Sequence, residues 1–128
     1  MKHSSVLSHL SLLLAMLSLT GCVAVLAGGA AAGTVAYIRG DLQAVIESNI
    51  NRTGSAVQRA AQDLELIAVS DAKDQTSAKY IFRTATDRKV EVNLKHASDS
   101  TTNLSIRVGV FGDETLSRQF YDRIRARL

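Results

Sequence analysis

The chain has 128 residues, with no proline, no tryptophan and a single cysteine. The lack of proline, together with a charged fraction of 21%, argues against a disordered or linker-rich protein. One cysteine, Cys22, cannot form an intrachain disulfide or a cysteine-based metal site. With no tryptophan and only three phenylalanines, few large aromatics are available to line a ligand cavity. The net charge is +3, but acids and bases are interleaved, so no basic tract points to nucleic acid. The length allows one domain.

What is present starts with a leader. Met1 to His9 is short and polar, with one positive side chain at Lys2. Leu10 to Leu19 is apolar except for Ser11 and Ser18, the length of a signal-peptide core and too short to span a bilayer alone. It ends in Leu19-Thr20-Gly21-Cys22, a spacing that resembles the bacterial lipobox. Small residues before the cut let the backbone enter a peptidase groove, and the Cys22 thiol is the nucleophile that takes up diacylglycerol. Residues 1–21 are therefore expected to be a lipoprotein signal peptide. Leu19, Thr20 and Gly21 are expected to be the peptidase recognition residues, and Cys22 the lipidation site. Val23 follows the cysteine where an Asp commonly retains lipoproteins at the inner membrane, so the expected location is the outer membrane, facing the periplasm.

Two other readings of this stretch compete. From Leu10 to Ile38 there is no charged residue. That is long enough for an uncleaved transmembrane helix, since about 20 residues suffice, and Gly29 and Gly33 form a GxxxG pair. The second half is mostly Ala and Gly, however, and its transfer free energy is weak, which fits a tether over residues 22–34 better. A phosphate-cradling loop needs GxxxxGK[ST] between strand and helix, and "GGAAAGTV" has no lysine.

From residue 35 onward the pattern is that of a packed domain. Ala36, Ile38, Gly40, Leu42, Ala44 and Ile46 alternate with polar or amphipathic neighbours, which predicts a strand with one buried face. Ile50, Gly54, Val57, Ala61 and Leu64 then form the stripe of an amphipathic helix, with Ser48 or Asn49 as N-cap. Gly54 on that stripe costs about 1 kcal/mol relative to Ala, which implies a close-packed neighbour. Four strand candidates follow, near 66–72, 77–85, 89–96 and 102–111, with Val90, Val92, Leu94, Leu104, Ile106, Val108 and Val110 inward. Lys89, Glu91, Lys95 and Arg107 should occupy a wet face. Asp113 caps a last helix whose core stripe is Leu116, Phe120, Ile124 and Leu128. Arg118, Arg123, Arg125 and Arg127 suit its dipole as a solvated face, with contact to an anionic surface as the alternative. The predicted fold is α+β: about five antiparallel strands, order β-α-β-β-β-β-α, with both helices on one face, over residues 35–128.

Read from the lipobox to Leu128, the chain resembles the small lipoproteins of Gram-negative envelopes grouped as a domain of unknown function. The residues that carry the likeness are Gly21-Cys22, Ala36 to Leu42, the helix to Asp63-Leu64, and above all "IRVGVFGDETLSR", Ile106 to Arg118. Gly54 departs from the pattern, since members often carry a large aromatic there. The resemblance implies no activity.

Catalytic chemistry is not expected. His3 and His9 leave with the leader, and His96 stands alone beside a polar turn. Asp113 and Glu114 are adjacent and cannot form a dyad on a helix, and no serine sits in a nucleophile elbow. Gly109 and Gly112 flank Phe111 where amides could meet an anion, but the carboxylates of Asp113 and Glu114 oppose one, and a sharp turn explains the glycines better. The expected function is a non-enzymatic, cofactor-free envelope interaction module. Acyl chains on Cys22 would hold it to the membrane, and a periplasmic protein would be its partner. The alternative is a small-ligand or lipid carrier with a cavity under the helices.

Overall fold

A computed structural model describes residues 34–128; the predicted leader and nearly all of the tether lie outside them. The alternation from residue 35 to residue 46 belongs to two strands, β1 (Val35–Ile38) and β2 (Asp41–Ile46), and not to the single strand expected. Arg39 and Gly40 between them both have positive φ, 52° and 88°, as a type I′ hairpin turn requires. The pairing Ile38 with Asp41 and Tyr37 with Leu42 reverses the parity of the buried positions across the turn. Leu42, Ala44 and Ile46 face the core as predicted, but in β1 it is Val35 and Tyr37 that pack on it, and Ile38 is 49% exposed.

Helix α1 (Ile50–Asp63) follows, capped by Asn49, whose side chain accepts from the Arg52 amide at 2.9 Å. Its entry is tied to the sheet by Thr102, whose buried hydroxyl donates to the Ser48 carbonyl at 2.7 Å. Gly54 meets the close neighbour its position implied: a Cβ there would collide with the hydroxyl of Tyr80, which rises from the sheet into the space above the glycine.

The chain continues through a four-strand meander, β3 (Ile67–Lys73), β4 (Ser77–Arg83), β5 (Lys89–Ser98) and β6 (Thr101–Val108), and ends in α2 (Glu114–Ala126). One antiparallel six-stranded sheet results, in the order β1-β2-β6-β5-β4-β3. The fold is α+β as expected, with six strands where about five were predicted. Val90, Val92, Leu94, Leu104, Ile106 and Val108 are buried under the helices. Val110 is not: β6 ends at Val108, Gly109 turns the chain at φ 70°, and Val110 is 82% exposed.

Polar side chains hold the periphery. Arg127 reaches from α2 to Asp63 of α1 with two hydrogen bonds of 2.7 and 2.5 Å, so it clamps the two helix ends and is not simply solvated. Arg118 pairs with Glu114 one turn earlier at 2.9 Å. On the wet face Glu91 lies between Lys89 and Lys79, at 2.8 and 3.0 Å. The hydrogen bond from Lys89, then that from Asn93, lowers its carboxyl from 4.5 to about 2. The folded state therefore binds this proton less readily than the unfolded chain. The stabilisation is complete above the unfolded value and is lost as pH falls through the folded one. Urea midpoints should fall between about pH 5 and about pH 2, and Glu91→Gln should show a shallower fall than wild type over that window. Equal slopes would contradict the Glu91 contacts.

Candidate functional site

The most heavily constructed part of the surface is where the β1–β2 turn meets the loop between β6 and α2. Arg107 and Asp41 are cross-strand partners on β6 and β2. The guanidinium grips the carboxylate through Nε at 2.8 Å and Nη2 at 3.1 Å, a fork geometry that lysine could not provide. Nη2 also donates to the Arg39 carbonyl at 2.8 Å, and Nη1 to the Val110 carbonyl at 3.0 Å. One side chain thus stitches the hairpin turn to the loop. The hydrogen bond to Asp41, aided by its charge, raises Arg107 above the usual arginine value.

Two glycines let the backbones touch. A Cβ on Gly112, at φ 86°, would stand 2.5 Å from the Cα and carbonyl oxygen of Gly40 and from the Tyr37 hydroxyl. A Cβ on Gly40 would stand 2.6 Å from the Phe111 carbonyl oxygen. The loop is fixed from the other side as well. The Gly109 amide donates to the Lys89 carbonyl at 2.8 Å, and Arg88 donates to Asp113 at 3.0 Å. Asp113 accepts from the Leu116 amide at 2.9 Å, the N-cap role predicted for it. That bond, reinforced by Arg88, holds its carboxyl below the ordinary aspartate value. The carboxylate fills the amide site at the start of α2, so the turn-and-cap reading of Gly112 and Asp113 describes the geometry.

This bracing presents two apolar side chains outward. Phe111 is 93% exposed and Val110 82%, beside a groove of about 690 Å³ lined by Arg83, Arg88, Lys89 and Arg107. The sequence offered glycines on both sides of Phe111 as a signal, but the bracing role of Arg107 was missed. Its partner Asp41 lies 66 residues away and is reached only through the β2–β6 pairing.

Other sequence-selected residues fall elsewhere. Leu19, Thr20, Gly21 and Cys22 lie outside the described residues. His96 stands near the opposite end of β5, with its Nε2 3.7 Å from Asp99. Among the described residues no group of three or more His, Cys, Asp or Glu is placed to hold a metal ion. Nor is any helix among them long and apolar enough to cross a membrane.

The architecture defines a class: a six-stranded antiparallel sheet with two helices on one face and a braced β6–α2 loop. The chain belongs to the family described as Protein of unknown function (DUF3568), whose model matches residues 5–127. No curated protein matches it.

Proposed function

We propose that this chain is a lipid-anchored protein of the bacterial cell envelope, held at the outer membrane facing the periplasm. Its α+β domain serves as a non-catalytic interaction module. The observation that carries the interaction reading is the loop at Val110-Phe111, where a doubly braced backbone holds two adjacent apolar side chains in solvent beside a polar-rimmed groove, the kind of patch that marks an interaction site. The anchoring rests on Leu19-Thr20-Gly21-Cys22 at the end of a short apolar core. Several acyl chains, at about 0.8 kcal/mol per buried methylene, hold firmly where a single chain would be reversible.

The carrier reading has less support. The middle of the space between helices and sheet is filled by Leu42, Val57, Val92, Phe120 and Ile124, each 1% exposed or less, and the cleft of about 400 Å³ that remains, between α1 and β3, is open to solvent. A photoreactive residue in place of Phe111, tested in intact cells, examines loop and anchor together. The mature chain should form adducts through position 111 and few through position 96. The same chain carrying Cys22→Ala should accumulate as an unprocessed precursor. Normal processing of Cys22→Ala would refute the anchor. Equal labelling from positions 111 and 96 would refute the loop.

A further inference from the structure

Four of the five large apolar side chains exposed among the described residues share one end of the sheet: Ile38, Ile67, Val110 and Phe111. Ile38 closes β1 at one edge, and Ile67, 61% exposed, opens β3 at the other. Between them the pairing sets cations in a row. Ile67 is opposite Arg83, Arg83 is opposite Lys89, and the Lys89 carbonyl holds Gly109 at the start of the loop. Arg39 stands on the turn beside Ile38. Along this rim apolar side chains thus alternate with basic ones. Three carboxylates here are less exposed than the cations they pair with: Asp41 than Arg107, Asp113 than Arg88, and Glu91 than Lys89. Asp87, paired with Arg83, is exposed, as are Glu114, paired with Arg118, and Glu65 just before β3.

From this arrangement we infer that the rim docks on an anionic phospholipid surface, with Phe111 and Val110 entering the interface and Arg39, Arg83 and Lys89 meeting lipid phosphates. The inference deepens the interaction reading above and rests on it. Chemistry and tether length favour a bilayer. Six strands at about 4.8 Å spread these side chains along an edge of roughly 24 Å. A bilayer interface can meet the whole of such an edge. Bulky apolar groups beside Lys and Arg are the chemistry that binds there. The tether permits it. Val35, where β1 begins, is three residues from Ile38, about 10 Å at strand rise. Residues 22–34 could span at most about 45 Å. A lipid on Cys22 and the rim can therefore reach one bilayer together, and the anchor makes docking effectively intramolecular.

The absence of tryptophan supplies the test. Phe111→Trp places a sole reporter on the rim, and His96→Trp places one seven residues along β5 from Lys89, roughly 23 Å away. The full chain is reconstituted into vesicles of phosphatidylcholine, alone or mixed with phosphatidylglycerol, with brominated acyl chains as quencher. The indole of Phe111→Trp should shift to the blue and be quenched in the anionic vesicles, while that of His96→Trp is quenched in neither. Arg39→Gln with Lys89→Gln should weaken docking about fivefold per cation removed. These two side chains leave the Arg107 contacts in place. A chain that floats with the vesicles while the rim reporter stays unquenched overturns the inference and leaves a protein as the loop's target. A chain that floats with neither composition refutes the anchor, not the docking. Docking is then read from quenching of the rim reporter at high anionic lipid concentration, and its absence there overturns it too.

Discussion

Phe120→Ala should destabilise the domain by about 3–5 kcal/mol, the usual cost of emptying a buried aromatic site. Phe120 is 1% exposed. It projects from α2 onto the sheet and meets Phe82 edge to face, with ring centroids 5.9 Å apart and planes at 75°. Phe82 in turn lies parallel to Tyr80 at 6.3 Å. The substitution removes buried area and one well-oriented aromatic pair, the latter about 0.5–1.5 kcal/mol by itself. Domains of this size have total stabilities of about 5–15 kcal/mol, so much of the margin disappears. Urea unfolding followed by circular dichroism reads the change, with His96→Ala as the reference expected to stay within about 0.5 kcal/mol. A Phe120→Ala loss below about 1 kcal/mol would mean that α2 is not docked as described.

The second large effect belongs to Gly112→Ala. The left-handed backbone alone costs an alanine about 1–2 kcal/mol. The new methyl also meets the Gly40 backbone, which cannot swing aside as a flexible side chain would. Overpacking of that kind adds about 1–3 kcal/mol, so a total of about 2–5 kcal/mol is expected. Gly109→Ala is the control. Its φ is also positive, at 70°, but the nearest atom to the added Cβ is the Arg88 Nη2 at an ordinary 3.5 Å. It should show the backbone cost only. If the two variants lose equal stability, the close approach between loop and turn is not real. If Gly112→Ala loses more, and quenching of a Phe111→Trp reporter falls with it, the brace is what positions the loop.

How far the fold was legible depended on whether its determinants were local. In β4, β5 and β6 one face is buried and the other wet, so alternation in the letters maps directly onto sides of the sheet. Asn49 and Asp113 were readable as caps because a cap is decided within three residues. The β1–β2 hairpin was hidden for a physical reason: a two-residue turn occupies one alternation period, so Arg39-Gly40 passes as more of the same strand. Only the positive φ at both residues shows the reversal. Val110 was misplaced because alternation continues in the letters after the strand has ended at Val108. The Arg107 brace was out of reach of any local argument, since it depends on β2 pairing with β6 across α1 and three intervening strands. Phe111 carried a partial signal, an aromatic between two glycines, but nothing in the spacing told an inward ring from an outward one.

The most direct test of the account is the mass of the N-terminal peptide of the protein extracted from its native membranes. The expected chain begins at Cys22, with a diacylglyceryl thioether on its sulfur. A chain that retains residues 1–21 with an unmodified Cys22 thiol would contradict it.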